Sequence, residues 1–377
     1  MKRKVLHLIG SNLVGGPEKQ ILHHAIDMKG SDYDIEIGSY HDLPEYPEVL
    51  VVAEQNGLAT VCLPGGVHLG LVTELSDILR QKPDYLLCTH GFKSNVVGYL
   101  AARRTGTRHM AFLRGWTAEN LRVSFYEVLE RQALKRAQWV VCVSRKQAEQ
   151  VARLRGRRVP PFVIPNAMLP PYARKQDKEV SRAASGIAPD AFVFGSVGRL
   201  SAEKGHRFMV SAFRELCGDP AIQRPLHLIV VGDGREQPSL EAQARQLGIA
   251  DRCTFAGFQG SPGEWMRLFD CLVQPSLTEG TPNAVLEAMS LRVPVVATAV
   301  GGCIDLITDG QNGLLAPAAD PHALAVAMRR MMDSADLRAQ FITNALTSNP
   351  EYSPALQRER LVAAYEAAFA SKATSSP

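Results

Sequence analysis

Long apolar runs are absent from this 377-residue sequence. No stretch approaches the ~18 apolar residues that a membrane-spanning helix requires, so the sequence predicts no integral membrane segment. The opening residues MKRKVLHLIG place basic residues before an apolar stretch, but that stretch is too short for a signal peptide and runs into the polar GSNLVGGPE. We therefore predict a first β-strand there and expect a cytoplasmic protein.

Disulfide and metal-ligand patterns are also absent. The seven cysteines occur singly, several of them inside apolar runs such as YLLCTH and WVVCVS. Because there is no Cys-x-x-Cys pair and no Cys/His ligand spacing, they indicate buried, reduced thiols in a cytosolic protein. The cysteines are Cys62, Cys88, Cys142, Cys217, Cys253, Cys271 and Cys303.

Low-complexity sequence is confined to a short polar tail, residues 371–377, the one segment for which disorder is expected. The charged fraction of 21% and the hydrophobic fraction of 46% are those of an ordinary globular protein. At about 150 residues per domain, the length indicates two domains, each large enough to bury its own core.

The net charge of +4 conceals an uneven distribution. Residues 93–158 contain 15 Lys or Arg and 4 Asp or Glu, a local charge of +11, so the rest of the chain sums to −7. Anionic lipid headgroups attract such segments by about 1 kcal/mol per well-placed basic residue, which makes the inner face of the plasma membrane a candidate partner. Nucleic acid is not expected, because aromatic stacking residues are not interleaved in a recognisable RNA-binding pattern. A solvated basic face without a partner is the remaining interpretation.

Apolar strand-like runs alternate with helical periodicity along both halves of the chain, which predicts parallel sheets covered by helices on both faces. The runs are VLHLIG, IEIGSY, TVCLP, YLLCTH, HMAFLRG, VVCVS and FVIPN, then FVFGSVG, HLIVVGDG, CTFAG, CLVQPS and PVVAT. The predicted fold class is α/β, with two doubly wound, Rossmann-like domains at residues 1–167 and 190–349, joined by a Pro-rich, charged linker at 168–189. Ligands of such sheets bind in a cleft at the carboxyl ends of the strands.

The run EGTPNAVLEAMS carries two carboxylates around a predicted helix start. Thr281 is a good N-cap and Pro282 suits the first helical position, so Glu279 precedes the helix and Glu287 lies on its second turn. Free N–H groups of a first helical turn bind anions, whereas ionised carboxylates accept bonds from sugar and ribose hydroxyls. Together they favour a nucleotide sugar as ligand. An isolated pair of this kind is otherwise a surface feature that complements the helix dipole.

Fixed cations for a phosphate group are found in GRLSAEKG, between a strand and the next helix. Arg199 offers a bidentate fork and Lys204 a compact charge, while Gly198 and Gly205 allow the backbone to approach a phosphate closely. The alternative is two surface cations near a turn.

Two further strand ends in the first half carry candidate residues. Gly15 and Gly16 follow the first strand and precede a helix, without the G-x-G-x-x-G spacing of a dinucleotide site, and ordinary turn glycines are the alternative. His90 ends the YLLCTH strand, from which its imidazole could reach a ligand, although a histidine is more often structural.

The motifs VGRLSAEKG, VVGDG, FAGF, QPSLTEGTPNAVLEAMSLRVPVVATAVGG and DGQNGLL follow one another in the order found in retaining glycosyltransferases of family 4. GGPEKQ, THGFKSNVVGYLAA, VSR and IPN match more loosely in the first half. The sequence therefore resembles this family over nearly its whole length. The resemblance implies the GT-B fold, in which an acceptor-binding and a nucleotide-sugar-binding domain face a cleft and the last helix, here 350–370, crosses back to the first domain.

The resemblance implies metal-independent, retaining transfer of a sugar from a UDP- or GDP-sugar to a glycan or lipid-linked acceptor, in bacterial surface polysaccharide or lipopolysaccharide synthesis. No cofactor is expected. Asp32 and Asp34 have the Asp-x-Asp spacing of metal-dependent transferases, but they precede the IEIGSY strand and we interpret them as turn residues. Two alternatives stay open: a sugar-nucleotide epimerase or hydrolase of the same fold, and a non-catalytic nucleotide-sugar-binding membrane scaffold.

The resemblance also implies roles for individual residues. Arg199 and Lys204 would bind the donor diphosphate, Glu279 the sugar hydroxyls, and His90 the sugar or a phosphate. The implied donor-binding residues are Gly15, Gly16, Gly198, Gly257, Phe258, Gly280, Thr281, Pro282, Asn283 and Glu287. Lys93, Arg114 and Trp116 are weaker candidates for the acceptor.

The sequence departs from the family pattern at three positions. Leu291 and Arg292 replace a small residue and a glycine after EAM, and Asp305 stands where Glu is common after GG. Because the Leu291–Arg292 pair and Asp305 are both expected near the donor, the preference for sugar or base would differ from that of the commonest members.

Overall fold

The structure is a computed structural model, and it describes residues 2–11, 14–42, 44–66, 69–114, 121–169, 180–347 and 350–371. The chain divides into two compact units: unit 1, Met1–Ala167 with Pro354–Pro377, and unit 2, Met168–Ser353. Residues 170–179 of the predicted linker and all of the predicted tail except Ser371 lie outside the described residues.

Unit 1 contains a seven-stranded parallel sheet in the order β3-β2-β1-β4-β5-β6-β7. Its strands are β1 (Arg3–Ile9), β2 (Tyr33–His41), β3 (Ala59–Pro64), β4 (Leu86–His90), β5 (Arg108–Leu113), β6 (Trp139–Cys142) and β7 (Phe162–Val163). The central strand β1 pairs with β2 and β4, so that Val5 lies opposite both Ile35 and Leu86. Every residue of β4 is buried, as expected of a parallel strand covered on both faces.

Helices connect these strands and cover the sheet. They are α1 (Gly16–Asp27), α2 (Glu48–Gln55), α3 (Leu69–Arg80), α4 (Gly91–Thr105), α5 (Leu121–Arg136) and α6 (Arg145–Arg155). α6 begins where the Ser144 hydroxyl accepts a hydrogen bond from the backbone N–H of Gln147, an N-cap that satisfies one of the unpaired N–H groups of the first turn.

Unit 2 contains a six-stranded parallel sheet in the order β10-β9-β8-β11-β12-β13. Its strands are β8 (Phe192–Val197), β9 (Leu226–Val231), β10 (Cys253–Gly257), β11 (Cys271–Gln274), β12 (Val295–Thr298) and β13 (Leu314–Ala316). Its helices are α7 (His206–Cys217), α8 (Gln237–Gln246), α9 (Pro262–Met266), α10 (Asn283–Ser290), α11 (Gly302–Leu306), α12 (Pro321–Asp333) and α13 (Ala335–Thr347). Phe192 and Phe194 belong to one core cluster and Val193 to another, because successive strand residues point to opposite faces.

The last helix, α14 (Pro354–Ala370), returns the chain to unit 1, where it contacts β4 and β5. Its buried residues Leu361, Ala364, Tyr365 and Ala368 recur at helical spacing, so one stripe of the helix faces the core. Two Rossmann-like units and a returning last helix confirm the predicted fold class.

The expectation of buried thiols needs one correction. All seven cysteines are free, and four of them are buried, but Cys217 and Cys253 are half-buried, and Cys62 is exposed because it lies on β3, at the edge of the sheet in unit 1. Within the described ranges, no helix combines the length and the apolar character needed to cross a membrane.

Candidate functional site

Lys204 and Glu279, 75 residues apart in the sequence, form an ion pair in unit 2. Lys204 ends a 3-10 turn (Ala202–Lys204) after β8, and Glu279 lies in the loop after β11. Lys204 Nζ lies 2.7 Å from Glu279 Oε1, and only 6% of the Glu279 side chain is exposed. The structure thus brings the predicted diphosphate cation against the predicted sugar-binding carboxylate.

One oxygen of the Glu279 carboxylate is fully engaged. Oε1 accepts bonds from Lys204 Nζ, from Gln274 Nε2 at 2.8 Å and from the Ser276 hydroxyl at 2.6 Å. No described residue donates to Oε2 within hydrogen-bonding distance. The carboxylate is therefore held rigidly through one oxygen and keeps the other available to accept bonds from hydroxyl groups.

Two adjacent glycines pack the loop after β12 directly against the Glu279 loop. A Cβ on Gly301 would lie 1.9 Å from the Glu279 carbonyl oxygen, and one on Gly302 would lie 1.9 Å from the Gly280 carbonyl oxygen. Any larger residue would push the two backbones apart, so the GG motif serves close packing of the loops that hold Glu279.

Helix α10 begins one residue later than the sequence predicts. Pro282 is the N-cap rather than the first helical residue, because its ψ of 103° is extended, and its carbonyl accepts bonds from the N–H groups of Val285 and Leu286. Thr281 precedes the cap, Asn283 opens the helix, and Glu287 lies on the second turn as predicted.

Arg292 does not lie near the loops that carry Glu279. It follows the opposite end of α10, is exposed, and has a φ of +61°. Glycine adopts this left-handed conformation without steric cost, which explains why glycine is usual at the end of such a helix. The expectation that Arg292 tunes the donor site therefore lacks support from its position, because the eight residues of α10 span about 12 Å.

Arg199 is held by an acidic residue that the sequence analysis did not single out. Its Nη2 lies 3.2 Å from Glu203 Oε1, which also accepts a bond from the Ser201 hydroxyl at 2.6 Å. Half of the Arg199 side chain is exposed, at 53%, whereas only 7% of Glu203 is. The buried carboxylate of Glu203 therefore fixes one side of the partly exposed Arg199 guanidinium.

Three more of the predicted donor-binding residues of unit 2 lie at strand ends: Gly257 and Phe258 at the end of β10, and Gly198 directly after β8. Gly257 has a φ of +66°, and its carbonyl accepts a bond from the Gly232 N–H at 2.8 Å. Phe258, the next residue, is 45% exposed, an unusually open position for an aromatic side chain. A Cβ on Gly198 would meet no atom within 4 Å, so this glycine borders open space.

In unit 1, His90 takes part in a buried chain of hydrogen bonds. Arg114 Nη2 lies 2.9 Å from His90 Nδ1, and His90 Nε2 lies 2.8 Å from His7 Nδ1. His7 Nε2 lies 2.8 Å from the Tyr365 hydroxyl, which lies 3.0 Å from His24 Nε2. These five side chains are called the imidazole chain below.

Burial keeps the imidazole chain uncharged except at Arg114. Desolvation lowers the pKa of His24 to about 3 and holds the pKa values of His7 and His90 well below their ordinary value. Desolvation also lowers the pKa of Arg114 to about 10, which leaves the guanidinium protonated at neutral pH.

Gly15 caps α1, and the first turn of this helix is occupied by its own glutamate. Glu18 Oε2 accepts a bond from the Gly15 N–H at 3.0 Å, and a Cβ on Gly15 would lie 3.0 Å from that oxygen. Burial raises the pKa of Glu18. Gly15 thus leaves room for the capping carboxylate, and Gly16 is the first residue of the helix.

Lys93 is paired with Asp42. Its Nζ lies 2.8 and 2.6 Å from the two carboxylate oxygens and 4.0 Å from the centre of the Tyr40 ring. Trp116, the third residue predicted for the acceptor, lies outside the described residues.

The predicted turn pair Asp32 and Asp34 lies at the amino end of β2. Asp34 is the second residue of that strand rather than a turn residue, and it forms an ion pair with Lys2 at 3.4 Å. Across the residues that the structure describes, no three His, Cys, Asp or Glu side chains gather where they could hold a metal ion.

Several residues that contact the predicted ones were not themselves predicted: Gln274, Ser276, Glu203, Asp42, Asn166 and His7. Tyr365, which bonds to His7, was not predicted either. Ser276 and Glu203 lie within four residues of Glu279 and Arg199, so loop proximity was a usable signal. His7 lies 83 residues from His90 and has the sequence context of an ordinary strand residue, whereas Tyr365 lies 275 residues away and has that of an ordinary helix residue. No local signal connects either of them with His90.

Two family descriptions match the chain in succession. Residues 15–167 match the "Glycosyl transferase 4-like domain" and residues 177–347 match "Glycosyl transferases group 1". Together they span most of both units.

Curated relatives and solved structures agree. D-inositol 3-phosphate glycosyltransferase 2 of Catenulispora acidiphila is 31% identical over 313 residues, 77% of this chain and 73% of the relative. 2-deoxystreptamine glucosyltransferase of Streptomyces kanamyceticus is 30% identical over 292 residues, 71% of this chain and 74% of the relative. The structure of Anabaena HepE in complex with UDP-glucose superposes with a TM-score of 0.81 at 21% identity, covering 97% of this chain and 99% of that one, and supports the same fold. The chain therefore belongs to the family 4 glycosyltransferases of GT-B fold, and it is a glycosyltransferase.

Proposed function

We propose that this glycosyltransferase moves a sugar from a nucleotide diphosphate sugar to an acceptor hydroxyl, with retention of the anomeric configuration and without a metal ion. The observation that carries the proposal is the pairing of Lys204 with a rigidly held Glu279 in unit 2. A cation for the diphosphate and a carboxylate with one available oxygen for sugar hydroxyls are the two groups that such a donor needs.

The residues of unit 2 divide the work on the donor. As the bond between the anomeric carbon and the phosphate oxygen breaks, negative charge builds on the diphosphate, and Arg199 and Lys204 stabilise it. Glu279 Oε2 accepts bonds from sugar hydroxyls, Glu287 binds the ribose, and Phe258 packs against the base. The acceptor oxygen attacks from the same face, and its proton passes to the departing phosphate oxygen, so no separate protein base is required.

Uridine is the base we propose. HepE, which shares the fold, is described in complex with UDP and with UDP-glucose, and this supports UDP over GDP as the first nucleotide to test.

We propose that unit 1 binds the acceptor through Lys93, Arg114 and Trp116, and that the acceptor is lipid-linked.

Ten exposed Lys or Arg side chains lie between residues 93 and 158, whereas Glu149 is the one exposed acid of that segment among the described residues. The basic residues are Arg103, Arg104, Arg131, Lys135, Arg136, Arg145, Lys146, Arg153, Arg157 and Arg158. We call them the basic surface.

Exposed apolar side chains accompany the basic surface. Leu100 on α4 is 37% exposed, and Val128 and Leu129 on α5 are 53% and 36% exposed. Basic and apolar side chains together favour the interface of an anionic membrane, which is where a lipid-linked acceptor would be anchored.

The relatives favour a second candidate acceptor. The names of two of them specify D-inositol 3-phosphate and 2-deoxystreptamine, both small polyhydroxylated rings. A small cyclitol would not require the basic surface.

The donor assignment is tested by calorimetric titration with UDP, GDP and ADP in EDTA. We expect UDP to bind with micromolar affinity, Glu287→Ala to weaken it, and the exposed helix variant Arg245→Gln to leave it unchanged. Binding that appears only after a divalent cation is added would refute the metal-free site.

The acceptor is tested with UDP-glucose and three probes: D-inositol 3-phosphate, 2-deoxystreptamine and a polyprenyl-diphosphate-linked N-acetylglucosamine. Sugar on the lipid-linked probe supports the lipid acceptor, and sugar on a cyclitol supports the second candidate. An altered sugar still attached to the nucleotide would identify an epimerase, release of free sugar alone a hydrolase, and nucleotide binding without turnover a scaffold protein.

Membrane binding is tested with vesicles of phosphatidylcholine alone and with phosphatidylglycerol added. We expect binding only to the anionic vesicles, weakened by salt and by the triple change Arg131→Gln, Lys135→Gln and Arg136→Gln. The matched control in unit 2 changes the exposed Arg224, Arg245 and Arg252 to Gln. Equal binding by both triple variants would contradict a role for the basic surface.

A further inference from the structure

The direction of every hydrogen bond in the imidazole chain is fixed by Arg114. A guanidinium only donates, so His90 Nδ1 must accept and the proton of the neutral ring lies on Nε2. That N–H donates to His7 Nδ1, which places the His7 proton on Nε2. His7 therefore donates to the Tyr365 hydroxyl, and this hydroxyl donates to His24 Nε2. His90 and His7 are Nε2–H tautomers, and His24 is the Nδ1–H tautomer.

His90 is consequently occupied on both sides. Its Nδ1 accepts from Arg114 and its Nε2–H donates to His7, and only 2% of the residue is exposed. Without breaking one of these bonds it can neither donate to a ligand nor remove a proton from one. In this arrangement the chemical task of His90 is to hold Arg114.

Arg114 is the member of the chain that retains donor capacity. Its Nη2 is held by His90 and its Nη1 by Asn166 Oδ1 at 3.0 Å. The buried Nε–H has no partner among the residues that the structure describes. Arg114 also lines a partly open cavity of about 20 Å³, together with His90, His7 and His24; this volume has room for about one water molecule. The hydrogen bonds of the imidazole chain thus run among its own side chains and end on Arg114.

We infer that Tyr365 and His7 are positioning residues for glycosyl transfer: they keep His90 in the one tautomer that accepts from Arg114, and so fix the guanidinium. The inference rests on the proposed function, in which Arg114 contacts the acceptor. Tyr365 comes from α14, so the returning helix completes the acceptor half of the enzyme as well as covering its sheet.

Removing the Tyr365 hydroxyl breaks two bonds of the chain at once. His7 Nε2–H loses its acceptor, and His24 Nε2 loses its donor. If the His7 proton moved to Nδ1, it would point at the Nε2–H of His90. If the His90 proton then moved to Nδ1 as well, it would point at the N–H of Arg114. The disturbance therefore reaches Arg114 through donor–donor conflicts.

The tautomers of the imidazole chain are tested by nitrogen-detected NMR of the full-length protein labelled with ¹⁵N-histidine, since protonated and unprotonated ring nitrogens have widely separated chemical shifts. We expect Nε2–H for His90 and His7 and Nδ1–H for His24, assigned from single His→Gln variants. Arg114→Met, which removes the donor to His90 Nδ1, should release His90 into a mixture of tautomers. An Nδ1–H tautomer for His90 in the wild-type protein would overturn the inference, and this reading does not depend on any Tyr365 variant folding.

The positioning role is tested by kinetics with Tyr365→Phe, using the acceptor probe that accepts sugar. We expect kcat/KM for the acceptor to fall about tenfold, because a displaced Arg114 orients the acceptor less well, while KM for the donor stays unchanged. The matched control is Tyr33→Phe. The Tyr33 ring centre lies 5.6 Å from that of Tyr365, but Tyr33 does not belong to the imidazole chain. A lower melting temperature with unchanged kinetics would show a purely structural role and refute the inference.

Failure of the proposed function gives a different result. A wild-type protein that binds nucleotide but transfers sugar to no acceptor refutes transfer, and with it the positioning role, whereas the tautomers can still be as assigned. Normal transfer by Tyr365→Phe refutes the positioning role alone.

Discussion

Mild acid should unfold unit 1 before unit 2. Unit 1 buries four histidines whose pKa values desolvation lowers: His7 and His90 well below their ordinary value, and His24 and His109 to about 3. Among the described residues of unit 2, desolvation lowers the pKa of His206 to about 3 and also lowers the pKa of the less deeply buried His227. These rings are neutral in the folded protein and become charged when the chain unfolds below pH ~6.5.

The sign follows from proton counting. Below pH ~6.5 the unfolded chain binds more protons than the folded one, so the free energy of unfolding falls as the pH falls. Well below pH ~6.5, each such histidine costs about 1.4 kcal/mol per pH unit, so the four of unit 1 cost roughly 5.5 kcal/mol per pH unit, whereas His206 and His227 together cost at most about 2.8. Between pH 7.5 and 5.0 unit 1 therefore loses roughly 8 kcal/mol, comparable with the 5–15 kcal/mol total of a typical domain. The raised pKa of Glu18 opposes this loss, but it is one group against four.

The assay is urea denaturation followed by tryptophan fluorescence between pH 7.5 and 5. Trp265→Phe leaves the tryptophans of unit 1, and the double change Trp116→Phe and Trp139→Phe leaves the one of unit 2. We expect the urea midpoint of unit 1 to fall at least about twice as steeply with decreasing pH as the midpoint of unit 2. Equal slopes for the two reporters would refute the assignment of neutral, buried imidazoles to unit 1.

Three substitutions test other features of the structure. Glu279→Gln removes the negative charge that faces Lys204, and we expect kcat/KM to fall about 10²–10³-fold in a transfer assay. The control Glu366→Gln removes the charge of an exposed ion pair with Arg3 in unit 1 and should change kcat/KM less than twofold. Arg155→Met removes the hydrogen bonds that one guanidinium donates to the carbonyls of Leu134, Ala137, Gln138 and Val159. Urea denaturation should show that the free energy of unfolding falls by about 3 kcal/mol. The control Arg153→Met, at an exposed position on the same helix, should lower it by less than about 0.5 kcal/mol. Arg292→Gly relieves a left-handed backbone and should raise the stability of unit 2 by about 1 kcal/mol, whereas Arg330→Gly inside α12 should lower it by about as much. Stabilisation by both glycines, or by neither, would contradict the role of backbone conformation.

The alternation of apolar runs with helical periods was sufficient for the fold class. Parallel strands buried on both faces are recorded in the sequence as short continuous apolar runs, and each of the runs named above coincides with a strand of one of the two sheets. The start of α10 was predicted one residue early, because the fixed φ of Pro282 suits both the N-cap and the first helical position and only ψ distinguishes them.

The sequence could name Lys204 and Glu279 as separate candidates but not their contact. Chemical type and loop context are local properties, whereas the 2.7 Å ion pair depends on β8 and β11 being neighbours in the sheet. The GG motif was recognised by resemblance, and its reason, backbone packing against the carbonyl of Glu279, is visible only in three dimensions.

By itself, the sequence determined the succession of strands and helices, the division into two units, and the residue types available at the strand ends, because burial patterns and turn chemistry are written locally along the chain. The tertiary structure alone decided which of those residues meet. It paired Lys204 with Glu279, engaged both nitrogens of His90, and linked that ring to a tyrosine 275 residues away. Hydrogen bonds act over about 3 Å in space, and no local pattern encodes which distant residues the packing of sheet and helix will bring within that distance.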